Sequence, residues 1–303
     1  MRRLAGKLLK RAAAPARRGW LVPTVCALVL LGLPYPLRVI PAAPPETVPG
    51  QVRIATWNVC GVRQWHCEST GTRTEKIQAL KRLAAGDGAR VVMLQEVCAG
   101  DLAVAREEMG KGWHSTFLPY AIQDAEGRRT AVRCADVRQG TAGLGLLAFS
   151  PLTKVSTVPT RQSAVGLHRG IVCATAADLA VRVCNAHLSL PEGDPAQVGR
   201  EFRDDQLKSL AGAANGRTVF GGDLNSAPPS NGTEDSWIWP HTTYRTYREC
   251  DQESASSRHG RPTHTSGHKV DYLFTALPRT RCSVRDTGAS DHRALIMQVS
   301  SRG

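Results

Sequence analysis

The sequence predicts an α/β sandwich with sheets buried between helical layers. Three observations predict it: short β-rich runs recur along most of the chain, helical patterns separate some of them, and 42% of the 303 residues are hydrophobic, enough for one sizeable core. The strand-like runs are 52–59, 90–97, 143–149, 171–175, 181–187, 218–224, 270–275 and 294–299, each apolar or β-branched and bounded by turn formers. A first helix opens on Thr72 and Glu75 in capping-box spacing and places Ile77, Leu80 and Leu83 on one face. A second is capped by Asp194, carries Pro195 in its first turn, aligns Val198, Phe202 and Leu210, and ends at Asn215 and Gly216. No internal repeat is present.

Residues 1–49 read differently from the body at 50–303. They hold eight Lys or Arg against the single acid Glu46, which is +7 of the formal +13 and leaves +6 for the body. Behind the charges, residues 20–33 are nearly all apolar, and a Pro/Ala-rich linker follows. That is the layout of a signal peptide. The alternative is an uncleaved anchor using residues 20–37 as a membrane tether; with basic flanks staying inside, either reading puts the body outside the cytoplasm.

Cysteine usage agrees. Apart from Cys26 in the leader, eight remain: Cys60, Cys67, Cys98, Cys134, Cys173, Cys184, Cys250 and Cys282. An even number in an oxidising compartment suggests up to four disulfides, and the absence of any Cys-x-x-Cys spacing argues against zinc. Two pairs stand out: Cys60 with Cys67 across a short loop, and Cys173 with Cys184 across a hairpin turning near Asp178.

The polar residues of interest sit at strand ends. Asn58 ends the first run, Glu96 the second and His187 the fifth; Asp223 and Asn225 close the sixth, Asp271 opens the seventh, and Asp291 and His292 precede the last. Singly, each has a plain explanation as a turn former, a surface charge or a core histidine. Together, four carboxylates (Glu96, Asp223, Asp271, Asp291) around one site would repel a phosphate unless a cation intervened. Oxygen ligands of this kind suit a hard ion, magnesium first, with manganese or calcium as substitutes.

In the order Thr-Trp-Asn-Val, Leu-Gln-Glu-Val, Asn-Ala-His-Leu, Gly-Asp-Leu-Asn-Ser, Val-Asp-Tyr-Leu-Phe and Ser-Asp-His-Arg, from Asn58 to His292, the chain resembles the endonuclease/exonuclease/phosphatase superfamily, in its DNase I-like branch. The resemblance implies a four-layer α/β sandwich, two packed mixed sheets flanked by helices, and a metal-dependent phosphoric ester hydrolase. It implies Glu96 as principal metal ligand, with Asn58 and Asp291 completing or orienting the sphere, one ion or two. His292, paired with Asp271, would activate water, or Asp223 would do so with protonated His292 steadying the phosphate. Asn225 would hold Asp223 or the phosphate from an extended segment, and His187 would donate to a phosphoryl oxygen or the leaving group. The acid or tyrosine that often assists the central histidine in this family is not identifiable between Gly112 and Gly140, where Tyr120 and Glu126 are both conceivable.

Fold and metal leave the ester open: DNA, RNA, sphingomyelin or an inositol phosphate. Residues 236–248 interleave Trp237, Trp239, Tyr244 and Tyr247 with His241, Arg245 and Arg248, as a surface that stacks bases and holds phosphates would; an aromatic cluster packing a long loop is the competing reading. Arg128, Arg129, Arg133 and Arg138 form a basic loop that could add phosphate contacts or simply be solvated. The positive body tilts the expectation to DNA or RNA cleaved by a monomeric secreted nuclease. A lipid phosphodiesterase, an inositol-phosphate phosphatase and a non-catalytic nucleic-acid-binding protein are the alternatives.

Overall fold

A computed structural model describes residues 49–67, 70–191, 201–230 and 234–301. The leader, apart from its last residue, lies outside these, as do Asp194, Pro195 and Val198 of the expected second helix. In chain order the strands are β1 (Gln51–Asn58), β2 (Val91–Cys98), β3 (His114–Pro119), β4 (Ala121–Gln123), β5 (Arg129–Ala131), β6 (Ala142–Ala148), β7 (Leu152–Thr157), β8 (Gly166–His168), β9 (Gly170–Ala176), β10 (Val181–His187), β11 (Thr218–Asp223), β12 (Arg248–Glu249), β13 (Asp271–Thr275), β14 (Arg279–Arg285) and β15 (Ala294–Ser300). The helices are α1 (Arg73–Lys81), α2 (Ala99–Met109), α3 (Arg203–Gly212) and the single turn α4 (Thr243–Thr246).

Two six-stranded mixed sheets form, ordered β14-β15-β1-β2-β6-β3 and β12-β13-β11-β10-β9-β7, with a small β5-β4-β8 sheet beside them. Alternation along the strands sends one set of side chains between the sheets and the other outward. Ile54, Met93, Leu144, Leu146, Val183, Val219 and Leu273 fill the central layer. Outward, Trp57, Leu94 and Ile296 meet Ile77, Leu80 and Leu83 of the first helical segment and Leu102 of α2. On the far side Phe220, Tyr272 and Phe274 meet Leu207 and Leu210 of α3. These three cores make the four layers, and each large apolar side chain fully buried contributes roughly 1.5–3 kcal/mol.

The capping box at α1 is present, the Thr72 hydroxyl accepting from Glu75 N–H while the Glu75 carboxylate accepts from Thr72 N–H. A π-type turn, Arg82–Gly86, carries on from it and buries Leu83. The second helix runs Arg203–Gly212, with Phe202 at its cap, and stops short of Asn215, whose backbone and side chain instead form a turn with Thr218. Four disulfides are formed. Cys60–Cys67 and Cys173–Cys184 match the two expected pairs, the latter joining directly opposed residues of β9 and β10. The others are Cys98–Cys134 and Cys250–Cys282.

Between the sheets lies one polar bridge. Gln95 of β2 donates to Thr56 Oγ1 at 2.9 Å and to Asn185 Oδ1 at 2.6 Å, and the Asn185 amide donates to the carbonyls of Leu94 at 2.8 Å and Gly145 at 3.0 Å. All three side chains are fully buried. Such groups are tolerated in a core because they are hydrogen-bonded, and the directional bonds fix how one sheet sits on the other.

Candidate active site

The register places the polar strand ends together. β10 runs parallel to β11, and β11 antiparallel to β13, so that His187, Asp223 and Asp271 stand abreast as paired residues. On the other sheet β1 and β2 are parallel, with Asn58 paired to Gln95 and Glu96 next in line. Gly221 and Gly222 make the approach of Asp223 possible: both adopt φ values (154° and 128°) that favour glycine, and a Cβ would strike the Tyr272 carbonyl from the first and the Ala186 carbonyl from the second.

Glu96 departs from the strand. Its φ is +53°, within a bulge where the β2–β6 register shifts between Leu94 and Val97. A non-glycine residue there is strained, and bulges re-aim a side chain. The surroundings hold it: its N–H donates to the Tyr120 hydroxyl at 3.2 Å and its carbonyl accepts from Gly61 N–H at 3.0 Å. Asn58 ties the two sheets' carboxylates together, its amide nitrogen lying 3.2 Å from Glu96 Oε1 and 3.0 Å from Asp223 Oδ2. Its own oxygen accepts from Cys60 N–H at 2.9 Å, which fixes the amide's orientation.

Tyr120, rather than Glu126, assists the central histidine. Its hydroxyl accepts from Glu96 N–H and lies 2.8 Å from His187 Nδ1; since the Asp223 carboxylate can only accept, the neutral ring carries its proton on Nε2, 3.4 Å from Asp223 Oδ2, and Nδ1 accepts from the Tyr120 hydroxyl. Glu126 is an exposed turn residue paired with Arg128. Burial, reinforced by the positive charge of Arg169, holds the His187 pKa well below its usual range and keeps the ring neutral.

His292 Nδ1 lies 2.9 Å from Asp271 Oδ2, and its Nε2 is 3.8 Å from Asp223 Oδ2. Burial opposes its charge, yet Asp271, Asp223 and Asp291 outweigh that and push its pKa up to about 10. Burial likewise opposes the Asp223 anion, but the neighbouring His187 ring, the charged His292, the Asn58 amide and Asn225 N–H hold it below the ordinary carboxylate range. With His187 neutral, His292 carries the compensating charge. Asp291 accepts from Ser290 at 3.2 Å.

Glu96 has no such partner. Burial pushes its pKa up to about 7 despite the Asn58 hydrogen bond, and no Lys, Arg or His among the described residues forms an ion pair with it. The Cys60–Cys67 disulfide walls one side, with Cys67 Sγ 3.9 Å from Glu96 Oε2. Asp271 Oδ1 is also buried without a hydrogen-bond partner among the described residues. A hard divalent cation fits this donor set, being the charge that a buried, unpaired carboxylate beside a carboxamide lacks.

Two expectations are corrected. Asn225 is not extended: its φ is +48°, its N–H donates to Asp223 Oδ1 at 3.0 Å, and its side-chain amide donates to Leu188 O at 2.9 Å, so it steadies Asp223 through a turn. Trp239 and Tyr244 are not a stacking surface. Both are buried in the outer core against Tyr272 and Phe274, and the Trp239 indole N–H donates to Ala227 O at 2.9 Å. Trp237, Arg245 and Arg248 remain exposed. In the basic loop, Arg128 and Arg138 pair with Asp124 and Asp136.

The sequence reading missed Arg169 and Trp65. Arg169 follows β8 beside the site; its Nε is buried without a partner among the described residues, and its guanidinium lies 6.0 Å from the Trp65 ring centre. Trp65, inside the Cys60–Cys67 loop, stacks on Tyr120 with ring centres 6.1 Å apart. Neither carries a local motif.

The profile of the Endonuclease/Exonuclease/phosphatase family matches residues 55–292, a span that opens just before Asn58 and closes on His292. The chain belongs to this family. Among solved structures, the human Nocturnin catalytic domain with bound sulfate is similar at 14% identity and a TM-score of 0.55, covering 82% of this chain and 93% of that one. The 3'-5' exonuclease NExo from Neisseria meningitidis gives 15% and 0.55, covering 82% and 100%. TDP2 from D. rerio complexed with a single-strand DNA product gives 16% and 0.55, covering 82% and 98%. At such identities the likeness shows the fold, which is that of the DNase I-like members. No curated protein matches the chain. Family members are hydrolases acting on phosphate esters.

Proposed function

We propose that this member is an exported, divalent-cation-dependent phosphodiesterase that cleaves nucleic acid by attack of water on phosphorus. The observation that carries the reading is Glu96, strained, buried and without an ion-pair partner among the described residues, set beside the Asp223–His292–Asp271 cluster. Glu96 would hold the cation, with Asn58 and Asp291 orienting the sphere. A bound magnesium ion, or manganese or calcium in its place, draws charge off the phosphoryl oxygens.

The chain's own groups do the rest. Asp223, deprotonated and within reach of both histidines, accepts the proton of the attacking water, while His292, backed by Asp271, donates to a phosphoryl oxygen. His187, neutral and oriented by Tyr120, offers its Nε2–H to a phosphoryl or leaving-group oxygen. Asn225 steadies Asp223. Nucleic acid is favoured by the body's +6, by Arg169 with its unpaired Nε, and by Trp65 as an aromatic neighbour. Export rests on the leader and on eight cysteines closed into four disulfides.

The test is hydrolysis of plasmid DNA, RNA, sphingomyelin and a bis-aryl phosphate, with magnesium and with a chelator. DNA or RNA is degraded with magnesium and spared once the cation is removed. Chelator-resistant cleavage, or sphingomyelin as the preferred substrate, overturns the assignment.

A further inference from the structure

At the rim of the site stands a histidine without a part in the reaction proposed above. His264 lies in the tight turn that follows Thr263, where His264 and Thr263 N–H both donate to His268 O and Gly267 takes a φ of +86°. Backbone bonds clamp this turn to the segment bearing Asp291 and His292: Thr265 N–H donates to Asp291 O at 2.9 Å and Arg293 N–H to Thr263 O at 2.6 Å, with His264 and His292 forming a β-bridge. The two imidazoles meet edge to face, centres 4.7 Å apart.

We infer that His264, Asp291 and His292 form a binding site for a borderline-soft transition-metal ion, of which Zn2+ is the type. One ligand atom from each lies within 4.8 Å of the others, and His264 Nε2 is 3.4 Å from Asp291 Oδ2. Bonds of about 2.0–2.1 Å at tetrahedral angles separate ligands by roughly 3.3 Å, so that pair already has the spacing of a zinc edge and the third closes by a small ring movement. Each histidine has one nitrogen hydrogen-bonded to a side chain, as zinc-binding imidazoles do. His264 Nδ1 lies 2.7 Å from Ser266 Oγ, and His292 Nδ1 meets Asp271. Two imidazoles and one carboxylate select zinc over magnesium, which takes oxygen ligands. With side chains of His264 and Asp291 28% and 30% exposed, the site opens to solvent and keeps a fourth position for water.

Zinc binding releases a proton of the His292 imidazolium to solvent, so occupancy takes His292 and Asp291 away from phosphate chemistry and makes zinc an inhibitor of magnesium-supported turnover. The binding itself stands on geometry alone; only the inhibition rests on the function proposed above.

Zn2+ titrated into the full chain with millimolar Mg2+ present, against a chromophoric zinc indicator, binds one equivalent. Co2+ substituted there gives the visible absorption of a low-coordinate site. His264→Gln weakens binding by ~100-fold or more, and Ser266→Ala, which removes only the outer partner, by about 10-fold. No zinc binding, or affinity unchanged in both variants while their thermal unfolding stays that of the parent, overturns the site. Zinc bound without loss of Mg2+-supported hydrolysis overturns the inhibition. A protein inert toward every phosphate ester but still binding zinc through His264 sinks the proposed function and leaves the site standing.

Discussion

The sheet built on β1 and β2 brings Asn58, Glu96, Asp291 and His292 to the cleft, and the sheet built on β10, β11 and β13 brings His187, Asp223, Asn225 and Asp271. Across the second group, charge is largely answered from within: Asp223 and Asp271 face His292, which the first sheet lends, and Tyr120 fixes the His187 tautomer. Glu96 has no such answer. One half of the site thus answers its charges from within, while in the other Glu96 forms no ion pair among the described residues. The difference puts the carboxylate proposed to hold the cation on a single strand bulge.

The comparison breaks most visibly in activity. Removing either half, by His292→Ala or Glu96→Ala, lowers kcat on nucleic acid by on the order of 10³-fold, within the range for a positioned proton donor or acceptor; steady-state turnover near the parent value in either variant dissolves the site as drawn. Next in size is Trp239→Ala, which opens the outer core behind the second sheet and costs about 3–5 kcal/mol in denaturant melts.

Glu96 sharpens the contrast through pH. Its pKa rises from the ordinary 4.5 to about 7, so the cation-free protein binds a proton there that the unfolded chain releases earlier. Stability from this residue is full below 4.5 and lost as pH climbs through about 7, a decline on the order of 3 kcal/mol at 1.4 kcal/mol per pH unit. Chelated protein therefore melts lower at pH 8 than at pH 5 by more than Glu96→Gln does, and magnesium recovers the difference only in the parent. Equal pH profiles for the two chelated proteins refute it.

Tyr120→Phe follows, leaving Glu96 N–H and His187 Nδ1 each without its hydroxyl, at about 1–3 kcal/mol per buried group left unpaired. Imidazole NMR shifts of His187 report the freed tautomer. Smallest is Trp237→Ala: being exposed, it moves stability by no more than ~0.5 kcal/mol. A large loss there would put Trp237, too, into the core.

All eight strands read from sequence are present because their apolar runs face a packed layer on at least one side. β3, β7 and β14 escaped because they lie at sheet edges, where none of their residues is fully buried and no apolar run forms; Leu152–Thr157 is mostly exposed. α2 escaped because it starts directly after β2, and only Asp101, Leu102 and Ala105 of its eleven residues are buried. The site was legible where a polar residue ended an apolar strand. Tyr120 is one of two candidates the sequence offers, and only its contact with His187 singles it out; Arg169 and His264 depend on partners tens of residues away, to which no local pattern points. The 236–248 loop leaves two readings open: alternating aromatic and basic residues look like a binding face, yet Trp239 and Tyr244 are packed against Tyr272 and Phe274, which is the competing reading.

The Gln95–Asn185 bridge has an effect beyond packing. Since its bonds set how the two sheets mate, and each sheet holds only part of the cleft, neither sheet by itself can hydrolyse anything. Competence arrives all at once, when the last interface closes.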